Sequence, residues 1–145
     1  MMISTKGEYA LRMMLDLAIN NTGESITIKS IASRQGLPEK YLEQIVAVFS
    51  KAGYVKSVRG SKGGYRLSDS LRSYTVGMIL RTIEGSLSPA ACIDSVESRC
   101  IHMQDCVTYE VFEELNQAIN HVVDNITLED LLRRHLEKGG DNYII

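Results

Sequence analysis

The chain has 145 residues, 44% of them hydrophobic, enough for one packed domain carrying an additional arm. No apolar run reaches the roughly 18 residues that cross a bilayer, and the opening MMISTKGEYAL lacks the basic-then-apolar order of a secretion signal. A cytoplasmic protein with no membrane partner is expected. The formal net charge of −2 argues mildly against a polyanion partner until it is divided: residues 1–75 carry 11 Lys and Arg against 6 Asp and Glu, whereas residues 76–145 carry 5 against 12. A basic first half joined to an acidic second half suggests that one part meets a polyanion and the other does not.

Thr5-Lys6-Gly7-Glu8 reads as a capping box opening a helix. Leu11, Met14, Leu15 and Ala18 follow at i, i+3, i+4 and i+7, and Ala10, Met13 and Leu17 widen the stripe, so this helix is expected to be buried on more than one side. Asn20-Asn21-Thr22-Gly23 ends it. Thr27 caps a short helix, IKSIASRQ, that stops at Gly36. Pro38 suits the first position of the next helix, which runs to about Lys51 with Leu42, Ile45, Val46 and Phe49 inward and Lys40, Glu43, Gln44, Ala47 and Lys51 outward. YVKSV then alternates as a strand, GSKGG is a turn and YRL is the return strand. This order predicts a mainly α fold with a small β-hairpin wing, a winged helix-turn-helix.

The hairpin SVRGSKGGYRL holds glycines for a tight tip, and Arg59, Lys62 and Arg66 for phosphates. It is not a nucleotide-binding P-loop, because Lys62 is followed by glycine and a strand rather than by Ser or Thr and a helix. Alone, such a hairpin is more often a solvated surface turn; behind two helices in a basic half it points to DNA. The expected DNA-facing set is Lys29 and Ser30 on the second helix, Glu39, Lys40, Tyr41, Glu43 and Gln44 on the third, and Arg59, Ser61, Lys62, Gly63, Gly64 and Tyr65 in the wing. Gln44 can read adenine, Glu43 can accept from cytosine N4, and Tyr41 can reach a phosphate through its hydroxyl.

Thr75 caps a further helix, VGMILRTIE, ended by Gly85. From Val107 to about Asn125 a long helix places Val107, Val111, Leu115, Ile119 (or Ala118) and Val122 at spacings of four and three, a seam of coiled-coil type. Those five are the expected interface of a homodimer, since palindromic operators favour two-fold proteins. Thr127 to Asp130 begins a last helix ending near Gly139. The expected division is a DNA-binding domain at 1–84, a cysteine-bearing loop at 85–106, a dimerisation helix with a short final helix at 107–138, and a tail at 139–145.

All three cysteines, Cys92, Cys100 and Cys106, fall in C-x7-C-x5-C among polar neighbours. An odd number in a reducing compartment is not a disulfide framework. Tetrahedral zinc with His102 as fourth ligand, an iron–sulfur cluster and a bare thiol switch all suit the pattern, with the cluster slightly ahead because no tight C-x2-C knuckle exists. His102, His121 and His135 join no nucleophile in a catalytic motif, so no enzyme is expected.

ISTKGEYALRMML, YLEQIV, VRGSKGGYRL and NITLEDLL together resemble the Rrf-type (IscR/NsrR/CymR-type) family of bacterial transcription regulators, from Met2 to about Leu132. The resemblance implies a dimeric winged-helix protein binding operator DNA, its long C-terminal helices crossing at the two-fold axis. It implies an iron–sulfur cluster on Cys92, Cys100 and Cys106, with the spacing inclining towards [4Fe–4S] over [2Fe–2S]. IscR-like members place a histidine three residues after the third cysteine, where this chain has Tyr109. NsrR-like members use a carboxylate from the first helix of the partner subunit, and the matching residue here is Glu8, with His102 the runner-up. Cluster-free members such as CymR act through a partner enzyme, and the tail NYII is similar to that branch.

Overall fold

A computed structural model describes residues 2–94 and 104–139. Among these, six α-helices and one antiparallel hairpin follow in the order α1 (Thr5–Ile19), α2 (Ile28–Gln35), α3 (Glu39–Lys51), β1 (Val55–Val58), β2 (Gly64–Leu67), α4 (Val76–Glu84), α5 (Val107–Asp124) and α6 (Leu128–Glu137). Single 3₁₀ turns lie at Leu71–Ser73 and Ala91–Ile93. The architecture is a winged helix-turn-helix followed by a long helix.

The wide apolar stripe of α1 has its reason in the packing. Helices α2, α3, α4 and α6 all lie against α1, and Ala10, Met13, Met14 and Leu17 are buried. Around them Ile31, Leu42, Ile45, Phe49, Ile79 and Leu128 complete one core, each large apolar side chain contributing about 1.5–3 kcal/mol by leaving water. The start of α1 departs from the expected box. Ser4, not Thr5, is the cap, its hydroxyl accepting the Gly7 N–H at 3.0 Å. The reciprocal acid is not Glu8 but Glu84 of α4, whose Oε1 accepts the Ser4 N–H at 3.0 Å and the Ser4 hydroxyl at 2.5 Å. A tertiary contact has taken the role that a local residue usually fills. Pro38 is likewise the cap of α3 rather than its first residue.

The wing is wider than the hairpin alone. β1 and β2 pair Val55 with Leu67, Lys56 with Arg66, Ser57 with Tyr65 and Val58 with Gly64. On the other edge of β2, Ile26 exchanges backbone hydrogen bonds with Tyr65 at 2.8 and 2.7 Å, so a single bridge pins the segment entering α2 to the edge of the hairpin. Gly64 is required there: its φ is +154°, and a Cβ would stand 2.6 Å from the Ile26 carbonyl oxygen. Behind the wing, the buried Tyr74 hydroxyl accepts the N–H groups of Ser68 and Asp69 at 3.0 and 2.9 Å and donates to the Tyr54 carbonyl at 2.8 Å. Burial holds its pKa above the usual phenol value.

A second, smaller core of Val76, Leu80 and Leu87 receives Ile119, Val123 and Ile126. Along the expected seam, Val107, Val111, Leu115 and Val122 are exposed. Of the two residues expected between Leu115 and Val122, Ala118 is exposed, while Ile119 is half-buried against this core and still lines the apolar groove beside Val122.

Candidate nucleic-acid interface and thiol junction

The outward face of α3 carries Glu39, Lys40, Glu43, Gln44 and Ala47, all exposed, because Leu42, Ile45, Val46 and Phe49 hold the opposite face in the core. Tyr41 is half-buried, its ring meeting Tyr9 of α1 edge-on at 5.4 Å between centroids; only part of it faces solvent. On α2, Lys29 is exposed, while the Ser30 hydroxyl donates back to the Thr27 carbonyl at 2.8 Å and its N–H to the Thr27 side chain at 3.1 Å. Arg59, Ser61 and Lys62 are exposed at the wing tip, Gly63 and Gly64 are half-buried, and the Tyr65 ring packs against the main core. Between the wing and the start of α2 runs a cleft of about 620 Å³ lined by Thr27, Ser61, Lys62 and Arg66 among others.

One feature of this surface escaped the sequence reading. Lys56 and Arg66 stand directly opposite each other across the ladder, both exposed. Like charges in facing strand positions destabilise a hairpin, and a polyanion laid across them removes that cost. Strand alternation was the available signal, since residues opposite in an antiparallel pair share a face. A second feature is the support beneath the helix-turn-helix. Asp16 of α1 is buried and takes Arg34 in a two-pronged contact at 2.7 and 3.0 Å, with Gln35 at 3.1 Å. Arg12 reaches the Gln35 carbonyl at 2.6 Å. This pins the end of α2, and so the turn into α3.

Two thiols flank the segment that leads into α5. Cys92 sits in the 3₁₀ turn that packs on α5, and Cys106 is the residue capping the N-terminus of α5; both are free and half-buried. The Cys106 sulfur lies 3.2 Å from the Thr108 hydroxyl. That hydrogen bond, with the Tyr109 N–H, holds its pKa below the ordinary thiol value, as a helix N-terminus does for a thiolate. Cys100 and His102 fall outside the described residues, and among the described residues no three metal-ligating side chains come together. Glu8 is exposed on the first turn of α1. Two soft sulfur donors at the ends of one segment, one of them favoured as thiolate, fit an iron–sulfur group in chemistry.

The model of the Rrf2 family, described as iron-dependent transcriptional regulators, matches residues 3–134. The chain belongs to the Rrf2 family. Its fold matches the solved structure of IscR from T. potens at a TM-score of 0.78, with 42% identity over 96% of this chain and 91% of that one. The structure of CymR, the global cysteine regulator of B. subtilis, superposes at 0.75 with 36% identity over 92% and 98%. IscR of Photobacterium profundum is 35% identical over 92% of this chain and 76% of its own. These Rrf2 relatives are transcriptional regulators, not enzymes, and this chain is a transcriptional regulator of that family.

Proposed function

We propose that this Rrf2 regulator is a homodimer that binds operator DNA through α3, α2 and the wing, and that an iron–sulfur cluster sets its affinity. The observation carrying the sensing claim is the placement of two thiols at the junction between the winged domain and α5. Cys92, Cys100 and Cys106 would hold the cluster, [4Fe–4S] favoured over [2Fe–2S] because their spacing is similar to that of iron-responsive members of the family, with Glu8 of the partner subunit as fourth donor. Such a group supplies one-electron chemistry and sensitivity to oxygen, nitric oxide and iron supply. The chain's own part is mechanical. Cys106 begins α5 and Cys92 rests on it, so any force that gathers these sulfurs acts on the helix whose exposed apolar row Val107, Val111, Leu115 and Val122 would meet a second copy.

The DNA side is carried by the outward face of α3 and by the opposed Lys56 and Arg66 of the wing. Lys29, Ser30, Lys40, Tyr41, Arg59, Ser61 and Lys62 serve phosphates, and Glu39, Glu43 and Gln44 base edges. Gly63, Gly64 and Tyr65 shape the wing. A second reading is favoured by the geometry at Cys106, whose sulfur lies 3.2 Å from the Thr108 hydroxyl at the start of α5; a contact that favours the thiolate also suits a cluster-free thiol switch.

Purification without oxygen tests the two readings together. Brown protein with iron and sulfide, losing operator affinity in a mobility shift after demetallation, supports the cluster. Colourless protein whose affinity responds only to thiol oxidation supports the switch. Equal affinity in every state removes sensing and leaves DNA binding.

A further inference from the structure

Towards its C-terminal end, α5 is tied to the winged domain through backbone. There the backbone of Val76 donates to the Ile126 carbonyl at 2.8 Å and Leu128 donates to the Tyr74 carbonyl at 2.9 Å. Gly77 brings α4 and α5 together: a Cβ at that position would run into the Asp124 carboxylate and stand 3.1 Å from a Val123 methyl. One turn further along α4, Arg81 donates from Nη1 to Asp124 Oδ1 at 2.6 Å and from Nη2 to Asp124 Oδ2 at 3.2 Å. The same Nη2 also donates to Asn120 Oδ1 at 2.7 Å. The planar guanidinium thus grips two acceptors one helical turn apart on α5. This forked contact adds directional polar restraint to the apolar packing of Ile119 and Val123 and to the turn that rests on α5. Arg81 also borders a polar cavity of about 410 Å³ that it shares with Ser86, Asp94, Asn116 and Ile93, the last from the turn that carries Cys92.

We propose that Arg81 is a positioning residue for DNA recognition: by tying α4 to Asn120 and Asp124 it fixes the direction of α5, and so the half-site spacing that the dimer accepts. This rests on the dimeric DNA-binding reading above. From Asn120 back to Val107 the helix extends about 20 Å. A rotation of about 10° at the clamp moves the far end by about 3.5 Å, roughly the rise of one base pair. Recognition helices of a two-fold protein must meet half-sites about one DNA turn apart, so an error of that size is an error of register. The clamp does little for stability, since its side chains are 35% and 44% exposed and such pairs contribute little. Its geometric content is larger, because a forked, two-acceptor contact restricts orientation where a lysine would not.

The test uses the full chain and an operator selected by wild-type protein from a random duplex pool. Duplexes with one base pair removed, and with one or two added, at the dyad, and a single half-site, are titrated by fluorescence anisotropy at fixed salt. Wild type should lose about 10-fold or more in affinity per base pair of wrong spacing. Arg81→Met should compress that ratio to about 3-fold or less while half-site binding moves less than about 2-fold, and Arg81→Lys should fall between. Asn120→Ala, which leaves the Asp124 contact in place, decides the matter should Arg81→Met fail to fold, and it should also compress the ratio. Equal weakening at every spacing, or an unchanged ratio, overturns the proposal. A monomeric wild type, or selected DNA without two-fold symmetry, overturns the dimeric reading and this inference with it.

Discussion

Asp16 is a carboxylate whose side chain is 2% exposed, whereas its partner Arg34 is 40% exposed. The asymmetry sets the cost of breaking the pair. Arg34→Met strands a buried charge, which costs about 3–5 kcal/mol, and only Gln35 and Asn20 remain to answer it. Asp16→Ala leaves Arg34 free to turn to water and should cost less. Denaturant unfolding checks the order, and a milder Arg34→Met would show that the pair is not what holds α2. Asp130 offers a second test. Its carboxyl is held below the usual range by the Thr127 N–H at 2.9 Å. A group with a depressed folded pKa stabilises above its unfolded value, near 4, and that contribution is lost as pH falls through the folded one. Wild type should therefore lose stability on acidification below about pH 4 more steeply than Asp130→Ala, in thermal unfolding scans.

The helices were readable from period and caps, with Thr27, Thr75 and Thr127 all accepting the N–H three residues on. The departures have one kind of cause. Ser4 caps α1 because Glu84, 80 residues away, completes the pair; Ile26 joins the wing because a distant loop folds back onto it; Asp16 lies inside an apolar stripe that a hydrophobic period passes over. Each depends on a contact remote in sequence. The wing has its own prediction. Lys62→Ala should weaken binding to all duplexes alike and reduce the slope of log K against log salt by about 1. Gln44→Ala should instead relax preference at one base pair, by about 1–3 kcal/mol in a mismatch panel. Loss of discrimination in the first, or uniform weakening in the second, would reverse those assignments.

Across the whole molecule, the basic half of the chain coincides with the winged domain and the acidic half with α4 to α6. Val107 at 73% exposure and Val122 at 55% mark an apolar face on α5, continued by a groove of about 380 Å³ among Ile3, Leu80, Leu87 and Ala118. Leu115→Glu should yield a monomer in analytical ultracentrifugation and cost about 100-fold or more in operator affinity, since linked half-sites then bind independently. A stable Leu115→Glu dimer would place the interface elsewhere. The exposed apolar row on α5 was legible in its spacing; between Ala118 and Ile119 a spacing of three or four is equally regular, and the second core draws Ile119 partly inward. For the proposed thiol ligands, the sequence offered chemistry and spacing, and the fold adds the places of Cys92 and Cys106 at either end of the segment before α5; Cys100 lies outside the described residues.

The Tyr74 hydroxyl binds three backbone groups at the root of the wing. In amide exchange, Ser68 and Asp69 should keep their deuterium label until the domain itself opens, while Arg59 to Lys62 relabel within the dead time. Such a pattern would mark the hairpin as a limber fingertip on a locked knuckle, free to follow local changes in groove width without disturbing the helices behind it.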